Sequence, residues 1–384
     1  MAKRGFKIMD SDIHVTEPPD LWLKYIEPEF RDRAPRRTNL PGGADHGVWQ
    51  FEGKSFPAYI DWPDRQRLAE VRRQKAGQRH VEIGRYVAKA DDLHGDHPSS
   101  MLKAMDREGV DVSIVFRTMA SHFIAIDGLD PRLSAAICRG FNNWLSDFCD
   151  ADRDRLKLAA ILPMQDVKLA VEEARRSVRD TGAVALVLSN HPVNGRPWYD
   201  RVYDPLWGEA ERLQVPVAFH GIQVAYQEHL GRRYLDNFAM VHAAAHPVEM
   251  MLALGCLLTG GIFERFPGLR AAFLEGHCGW VPSWLWSLDE RVEKFGDESQ
   301  FPLKMPPSEY FKRHCYVSVD PDEGVVRHTI EAVGDDNIVI STDWPHDDSS
   351  YPQAVEKFLM LEGVNDESKR KILWSNCAHL YGIK

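Results

Sequence analysis

The sequence predicts an α/β fold: a distorted (β/α)8 TIM barrel with long insertions after its first and fifth strands. Eight short apolar or β-branched segments alternate with segments of helical spacing, which favours a closed parallel barrel over an open sheet. Four of the eight segments end in His, Asp or Glu, as expected where catalytic groups gather at the carboxyl ends of barrel strands. Because no phosphate-binding glycine fingerprint follows a strand, a dinucleotide enzyme is not favoured.

Each predicted strand is short, and turn residues or stretches of helical spacing separate it from the next. The predicted strands cover residues 6–15, 110–116, 156–162, 183–188, 215–220, 269–275, 315–319 and 337–342. The 384 residues are interpreted as one domain, 1–384, because barrels with insertions exceed the usual domain size. The two long connections, about 18–98 and 221–268, are expected to form a lid and the substrate pocket.

Composition narrows the class of protein. The net charge of -10 argues against a nucleic-acid partner, and an apolar fraction of 44% suits a globular chain. The sequence up to the first strand has no apolar signal core, and no run approaches membrane-spanning length, so a cytoplasmic protein without membrane contact is expected. The six cysteines lack C-x-x-C spacing, which argues against a disulfide scaffold or thiolate metal site.

The strand ends supply a set of metal-ligand side chains. Asp12 and His14 alternate at the end of the first strand, so both point to one face. His220 ends the fifth strand, and Glu275 and His277 end the sixth. The eighth strand leads into Asp343. Carboxylate and imidazole ligands without thiolate suit iron, manganese or zinc.

The motifs around these residues resemble the amidohydrolase superfamily, in its amidohydrolase-2 branch that includes aminocarboxymuconate-semialdehyde and dihydroxybenzoate decarboxylases. The resemblance covers nearly the whole chain and depends most on residues 10–22, 260–267, 275–282 and 341–346. It implies that metal is bound by Asp12, His14, His220 and Asp343, and that His277 binds metal or acts on the substrate.

Two positions depart from that family. Decarboxylases with His-x-x-Glu after the sixth strand use the glutamate near the substrate, and this chain has Trp280 there, which weakens the prediction of decarboxylation. Dinuclear hydrolases of the wider superfamily bridge two metals with a carboxylated lysine from the fourth strand. Residues 183–190 contain no lysine, so that bridge is excluded.

A surplus of carboxylates leads to the favoured hypothesis. Glu17 and Glu275 join Asp12 and Asp343, and four buried carboxylates would raise one another's pKa unless two divalent ions neutralised them. Two Fe ions suit this set, which resembles the nonheme diiron monooxygenase branch of the platensimycin-pathway type. That resemblance implies hydroxylation of a hydrophobic carboxylic acid or its coenzyme A thioester, with an external electron donor. Alternatively, Glu17 caps a turn and Glu275 orients His277.

Catalytic roles are predicted for His277, Asp343 and His246, with His246 as a further ligand or proton donor. The alternative function is a single-metal hydrolase or nonoxidative decarboxylase of a small carboxylic acid, with one Zn or Mn, Asp343 as base and His277 stabilising an oxyanion. A catalytically silent metal-binding protein is a third class. The substrate is expected to be a small molecule, and a homo-oligomer is left open. The basic run 65–75 is interpreted first as a solvated helix face and, alternatively, as a surface for a phosphate-bearing substrate such as a coenzyme A thioester.

Overall fold

Eight parallel strands form the body of the protein, as a computed structural model describes it for residues 3–38, 48–56, 93, 95–221, 237–346 and 349–383. The strands are hydrogen-bonded in the order β1-β5-β6-β7-β8-β9-β10-β11. Their bounds are Met9–His14 (β1), Val112–Phe116 (β5), Leu156–Ile161 (β6), Ala185–Ser189 (β7), Val217–His220 (β8), Ala271–Leu274 (β9), Cys315–Val319 (β10) and Ile338–Ile340 (β11). All eight predicted strands, and the barrel fold itself, are confirmed.

The strands form where the sequence is apolar on both faces, because one face fills the barrel and the other meets the surrounding helices. Those α-helices, within the described residues, are Leu21–Tyr25, Pro98–Glu108, Ala120–Ile124, Pro131–Cys149, Val167–Arg176, Asp204–Leu213, Phe238–Ala243, Glu249–Thr259, Ile262–Arg265, Val281–Phe295, Pro307–His314, Val326–Val333, Ala354–Leu359, Asp366–Arg370 and Asn376–Tyr381. Short 3-10 or π segments are Pro28–Arg33, Ser177–Thr181, Val193–Gly195, Arg201–Tyr203, Ala244–Val248, Gly296–Glu298 and Lys371–Ser375.

Polar bonds join β1 to the segment that follows β11. The backbone N–H of Asp343 donates to the carbonyl of Asp12 over 3.1 Å, and that of His14 donates to the carbonyl of Trp344 over 2.7 Å. The buried carboxylate of Asp10 accepts from the Thr342 amide over 3.1 Å and from its hydroxyl. These bonds bring Asp12 and Asp343 side by side, although 331 positions separate them in the chain.

Part of the first insertion packs beside the barrel. It contains a three-stranded antiparallel sheet of Arg36–Thr38 (β2), Val48–Phe51 (β3) and Lys54–Phe56 (β4). Trp49 lies edge-on to Trp22, with ring centroids 5.3 Å apart, and Trp22 meets Phe123 at 5.1 Å. Phe123 belongs to the helix that follows β5, so this aromatic cluster fixes the insertion near the carboxyl end of that strand. The basic run 65–75 lies outside the described residues.

The second insertion contains a helical run that the sequence analysis did not anticipate. Ala239–Thr259 spans 21 residues with a mean hydropathy of 1.4, enough by length and composition to cross a membrane. However, 61% of its apolar window is buried in the protein, and Met250, Leu254 and Leu257 are fully buried. This burial is typical of a core helix, and the run is weak evidence for a membrane span. The prediction that no run approaches spanning length was wrong.

Candidate metal centre

Two strand ends place three side chains at one point in the barrel mouth. Asp12 and His14 are the alternating residues at the end of β1, and the pairing of β1 with β5 is irregular between Asp10 and Ile13. His220 is the last residue of β8. All three ligand side chains are at most 1% exposed. Because parallel barrel strands all end at the same mouth, the side chains of β1 and β8 meet there although they lie more than 200 residues apart in the chain.

The ligand atoms of these residues converge closely. His220 Nε2 lies 3.1 Å from Asp12 Oδ1 and 3.2 Å from His14 Nε2. His14 Nε2 lies 3.2 Å from Asp12 Oδ1 and 3.3 Å from Asp343 Oδ1. Asp12, His14 and His220 each offer one ligand atom within 4.8 Å of the others. Of the sequence-predicted ligands, the structure thus brings these three and Asp343 together.

The other ring nitrogen of each histidine is already bound. His14 Nδ1 lies 2.7 Å from the Arg117 carbonyl, and His220 Nδ1 lies 3.2 Å from the Gly221 carbonyl. A carbonyl accepts only from N–H, so each Nδ1 carries the hydrogen and each Nε2 of a neutral ring is an acceptor. Burial lowers the pKa of His14 to about 3 and lowers that of His220, so both rings are neutral. Burial opposes ionisation of Asp12, but His220 and His14 lower its pKa overall.

The Nε2 atoms of His14 and His220 and the Asp12 carboxylate all offer lone pairs to the same point. A cation bound there would stabilise them. Neutral imidazole nitrogen, with its far nitrogen bound to an oxygen, is the usual form of a histidine metal ligand. With Asp12 and Asp343, the set offers two nitrogens and two carboxylates. This donor set fits a divalent transition metal such as manganese, iron or zinc. The residues present therefore fit a single divalent ion.

Glu275 lies behind His220. Its Oε2 is 3.1 Å from His220 Nδ1, on the opposite side of the ring from the Nε2 that faces the cluster. Glu275 Oε2 is also 3.6 Å from His246 Nδ1. These contacts favour a role in orienting His220 over direct ligation. Glu275 and Asp343 both have positive backbone φ, 56° and 55°, a strained conformation that concentrates at functional sites.

The Glu17 carboxylate is bound by a turn of backbone and belongs to neither group of converging ligand atoms among the described residues. Its carboxylate accepts hydrogen bonds from the amides of Thr118, Met119 and Ala120 at 3.1, 3.0 and 2.9 Å. Glu17 is 2% exposed, and burial raises its pKa against the opposing effect of these amides. The contacts correspond to the capping role that the sequence analysis weighed against ligation. The cap lies before Ala120–Ile124, not in the turn of Glu17 itself.

His277 and His246 lie outside the converging set. His277 Nε2 is 3.0 Å from Asp320 Oδ2, its side chain is 53% exposed, and the bond to Asp320 raises the pKa of His277 to about 9. His246 is buried with its ring stacked on His242 at 4.2 Å, and its Nδ1 lies 3.1 Å from the Glu275 carbonyl. Burial holds the pKa of His246 well below its usual range. Neither belongs to the groups of converging ligand atoms among the described residues.

Sequence reasoning missed a buried cation, Arg117. This residue directly follows β5, and its Nη2 lies 3.5 and 3.4 Å from the carbonyls of His220 and Gly221, across the barrel mouth. Burial lowers the pKa of Arg117 to about 10, while Glu275 and Asp12 raise it, so the guanidinium stays charged at neutral pH. Its position at a strand end was visible in the sequence. Arginine is not a metal ligand, so a pattern of ligand residues does not include it.

Arg117 changes the count of ions that the carboxylates need. When ionised, Asp12, Asp343 and Glu275 carry three negative charges, while the carboxylate of Glu17 accepts hydrogen bonds from three amides. One divalent ion and Arg117 supply three positive charges. The argument that four carboxylates require two metal ions therefore fails, because one of the four is a cap and the protein supplies a cation of its own.

His346 is a second residue that had no predicted role. Its Nδ1 lies 2.7 Å from Asp343 Oδ1, its Nε2 lies 3.2 Å from Thr118 Oγ1, and its ring lies 4.1 Å from that of His14. His14, Asp343 and His346 form a second group with ligand atoms within 4.8 Å. His346 therefore contacts the predicted ligand Asp343 directly.

Known proteins resemble this chain in sequence and in fold. The model of the amidohydrolase family matches residues 10–383. The chain is 28% identical to the gamma-resorcylate decarboxylase of Rhodococcus jostii over 298 residues, 73% of this chain and 86% of that protein. An amidohydrolase structure from Mycobacterium avium subsp. paratuberculosis superposes with a TM-score of 0.75 at 18% identity, covering 98% and 100% of the two chains.

A second solved structure is the dihydroxybenzoic acid decarboxylase of Polaromonas, with bound manganese and 2-nitroresorcinol. It superposes with a TM-score of 0.63 at 19% identity and covers 98% of this chain and 97% of its own. These likenesses below 25% identity show the fold.

The comparisons correct the favoured function. The curated relatives are decarboxylases, among them the Rhodococcus enzyme and an aminocarboxymuconate-semialdehyde decarboxylase, and not oxygenases. The prediction of a diiron monooxygenase with two Fe ions and an electron donor was therefore wrong, and the alternative of one Mn or Zn fits better. The prediction of an amidohydrolase-2 enzyme is confirmed, since the matched family model spans nearly every residue. The chain belongs to the amidohydrolase family.

Proposed function

We propose that this protein is a nonoxidative decarboxylase of an aromatic carboxylic acid that works with one divalent metal ion, manganese or zinc. The observation that carries the proposal is the convergence of Asp12, His14, His220 and Asp343. Together with Glu275, whose carboxylate contacts His220, this set offers three negative charges that one divalent ion and Arg117 would balance. The decarboxylase relatives support the reaction class, and the manganese of the Polaromonas enzyme supports the metal.

In this proposal, different residues bind the metal, orient its ligands and balance the charge of the substrate. A divalent ion would supply positive charge to the oxygens of a bound carboxylic acid. Glu275 and the carbonyls of Arg117 and Gly221 orient the two histidines, so that the Nε2 atoms stay fixed before any substrate arrives. Arg117 stays charged although buried, and it offsets the charge that an anionic substrate adds.

Decarboxylation needs no external redox partner, which suits this set of residues. The bond between the ring carbon and the carboxyl carbon breaks, carbon dioxide leaves, and the carbon retains the electron pair and takes up a proton. No other molecule oxidises or reduces the substrate in this reaction. The predicted coenzyme A surface falls at 65–75, outside the described residues. The single domain, the cytoplasmic location and a homo-oligomer stay predictions.

The test is release of carbon dioxide without dioxygen. Chelated protein is reloaded with Mn²⁺, Zn²⁺ or Fe²⁺ in an anaerobic chamber and mixed with gamma-resorcylate and a panel of dihydroxybenzoic acids. We expect carbon dioxide and the corresponding phenol in equal amounts from at least one acid. The matched control is Asp12→Asn, which keeps the side-chain shape but removes a charged ligand atom. Turnover that requires dioxygen, or equal turnover by Asp12→Asn, would overturn the proposal.

A further inference from the structure

The segment that follows β5 lies between two histidines of the barrel mouth. Thr118 stands two residues beyond the end of β5, and its hydroxyl oxygen lies 3.4 Å from His14 Nδ1 and 3.2 Å from His346 Nε2. The rings of His14 and His346 have their centroids 4.1 Å apart. A single hydroxyl group therefore contacts both a proposed metal ligand and a residue of the loop after β11.

The hydrogen-bonding capacity of this hydroxyl group decides which contact it serves. The Thr118 hydroxyl oxygen lies 2.7 Å from the carbonyl oxygen of Val15, which can only accept, so its single hydrogen is donated there. The Nδ1 hydrogen of His14 is donated to the carbonyl of Arg117 over 2.7 Å, a shorter contact than the 3.4 Å to Thr118. The lone pairs of the Thr118 oxygen are therefore left for the Nε2 hydrogen of His346.

His346 connects Thr118 to a metal ligand. Its other ring nitrogen, Nδ1, lies 2.7 Å from Asp343 Oδ1, and that same oxygen lies 3.3 Å from His14 Nε2 in the cluster. Because an imidazole ring is rigid, a bond that fixes Nε2 at Thr118 also fixes Nδ1 against the carboxylate. Partners of this kind, which contact a ligand without contacting the metal, set the orientation of the ligand.

Asp343 depends on such support more than the other ligands do. Asp12 and His14 lie within β1 and His220 lies within β8, but Asp343 lies three residues beyond the end of β11. The side chain of Asp343 is 17% exposed, whereas those of the other three ligands are at most 1% exposed. Sheet pairing and burial therefore fix this carboxylate less firmly than they fix the others.

We propose that Thr118 is a positioning residue of the metal centre: its hydroxyl group holds the ring of His346, and that ring holds the Asp343 carboxylate where it binds the metal. The inference depends on the metal site of the proposed function and on no step of the reaction. The contacts run from Val15 through Thr118 and His346 to Asp343, so segments after β1, β5 and β11 act together on one ligand.

The test is the Mn²⁺ affinity of Thr118→Val, measured by competition with a chelator of known affinity. Valine has nearly the shape of threonine but no hydroxyl group, so His346 loses its partner while the packing is kept. We expect the affinity to fall about tenfold, the low end of the effect of removing a group that orients a metal ligand. Thr118→Ser, which keeps the oxygen, should restore most of it.

The matched control is Thr181→Val. The buried hydroxyl group of Thr181 also donates to a carbonyl, that of Ser177 over 2.6 Å, but Thr181 lies before β7, at the opposite end of the barrel from the metal cluster. This variant should keep the natural Mn²⁺ affinity. Urea unfolding of the metal-free proteins shows that each variant is folded.

A double variant separates positioning from a structural role. Because Thr118 acts through His346, adding Thr118→Val to His346→Phe should weaken Mn²⁺ binding no further. A second loss of the same size would overturn the inference, since Thr118 would then act by another route. Natural affinity in a folded Thr118→Val, equal losses in Thr118→Val and Thr181→Val, or Thr118→Ser that binds as weakly as Thr118→Val would overturn it as well.

Failure of the proposed function is seen separately from failure of this inference. A natural chain that binds Mn²⁺ but releases no carbon dioxide overturns the decarboxylase and leaves the role of Thr118 standing. A natural chain that binds Mn²⁺ and releases carbon dioxide, with natural affinity in Thr118→Val, overturns only the role of Thr118. A natural chain that binds no divalent ion overturns both.

Discussion

Glu17 is buried and Glu275 is partly buried, and each is replaced by alanine in turn. The structure predicts opposite outcomes for the two variants. Glu17 accepts hydrogen bonds from three backbone amides and is in neither group of converging ligand atoms among the described residues. Glu275 holds the ring of His220, whose other nitrogen faces the metal position. We therefore expect Glu17→Ala to lose stability but keep its metal affinity, and Glu275→Ala to lose metal affinity but keep its stability.

The magnitudes follow from the contacts that are lost. Glu17→Ala leaves three amides unpaired at a site only 2% exposed. At about 1 kcal/mol for each lost bond, the free energy of unfolding should fall by on the order of 3 kcal/mol. Glu275→Ala removes a partner that orients a metal ligand, and such changes lower metal affinity about 10–100-fold, roughly 1.4–2.7 kcal/mol.

The assay has two parts, run on both variants and the natural chain. Urea unfolding of the metal-free proteins gives the stability difference, and competition with a chelator of known affinity gives the metal dissociation constant. Both variants should still bind one ion per chain when metal saturates. Glu17→Ala that stays as stable as the natural chain but binds less metal would refute the assignment of Glu17 as a cap and restore it as a ligand.

Three further predictions concern residues that the sequence analysis did not assign. Arg117→Met removes a positive charge beside both the metal and an anionic substrate. The variant should therefore bind Mn²⁺ more tightly in calorimetry and have a KM at least about tenfold higher. Weaker metal binding would contradict this. His346→Phe should weaken chelator-measured metal affinity by loosening Asp343, and His346→Asn, which keeps a donor near Nδ1, should restore most of it; equal affinity in both would contradict it. Burial lowers the pKa of His122 to about 3. Between pH 7.5 and 5.5 this side chain therefore takes up a proton in the unfolded chain but not in the folded chain. The free energy of unfolding of the natural chain should then fall by about 1.4 kcal/mol more than that of His122→Asn over this range, and an equal fall would refute it.

The barrel and the core of the site could be predicted because they depend on local signals. Each strand is a short apolar run, and in a parallel barrel every strand ends at the same mouth. Asp12, His14, His220 and Asp343 each stand at such an end, so their meeting follows from topology. The bounds shifted by only a few residues, as with the predicted strand 269–275, which is Ala271–Leu274 in the structure.

The number of metal ions could not be predicted, because it depends on contacts between distant loops. A sequence shows that Glu17 is a carboxylate but not that the amides of 118–120 surround it. It shows Arg117 at a strand end but not that the side chain crosses the mouth to the end of β8. In the same way, the sequence shows His277 after the sixth strand but not that Asp320, directly after β10, contacts its ring.

The central claim is that one divalent ion, held by Asp12, His14, His220 and Asp343, suffices for carbon dioxide release. It is tested most directly by titrating chelated protein with Mn²⁺ under anaerobic conditions while carbon dioxide is measured from an acid that the protein decarboxylates. Activity should rise linearly and level off at one equivalent of Mn²⁺ per chain. A plateau reached only at two equivalents, or activity that appears only when dioxygen is admitted, would contradict the claim.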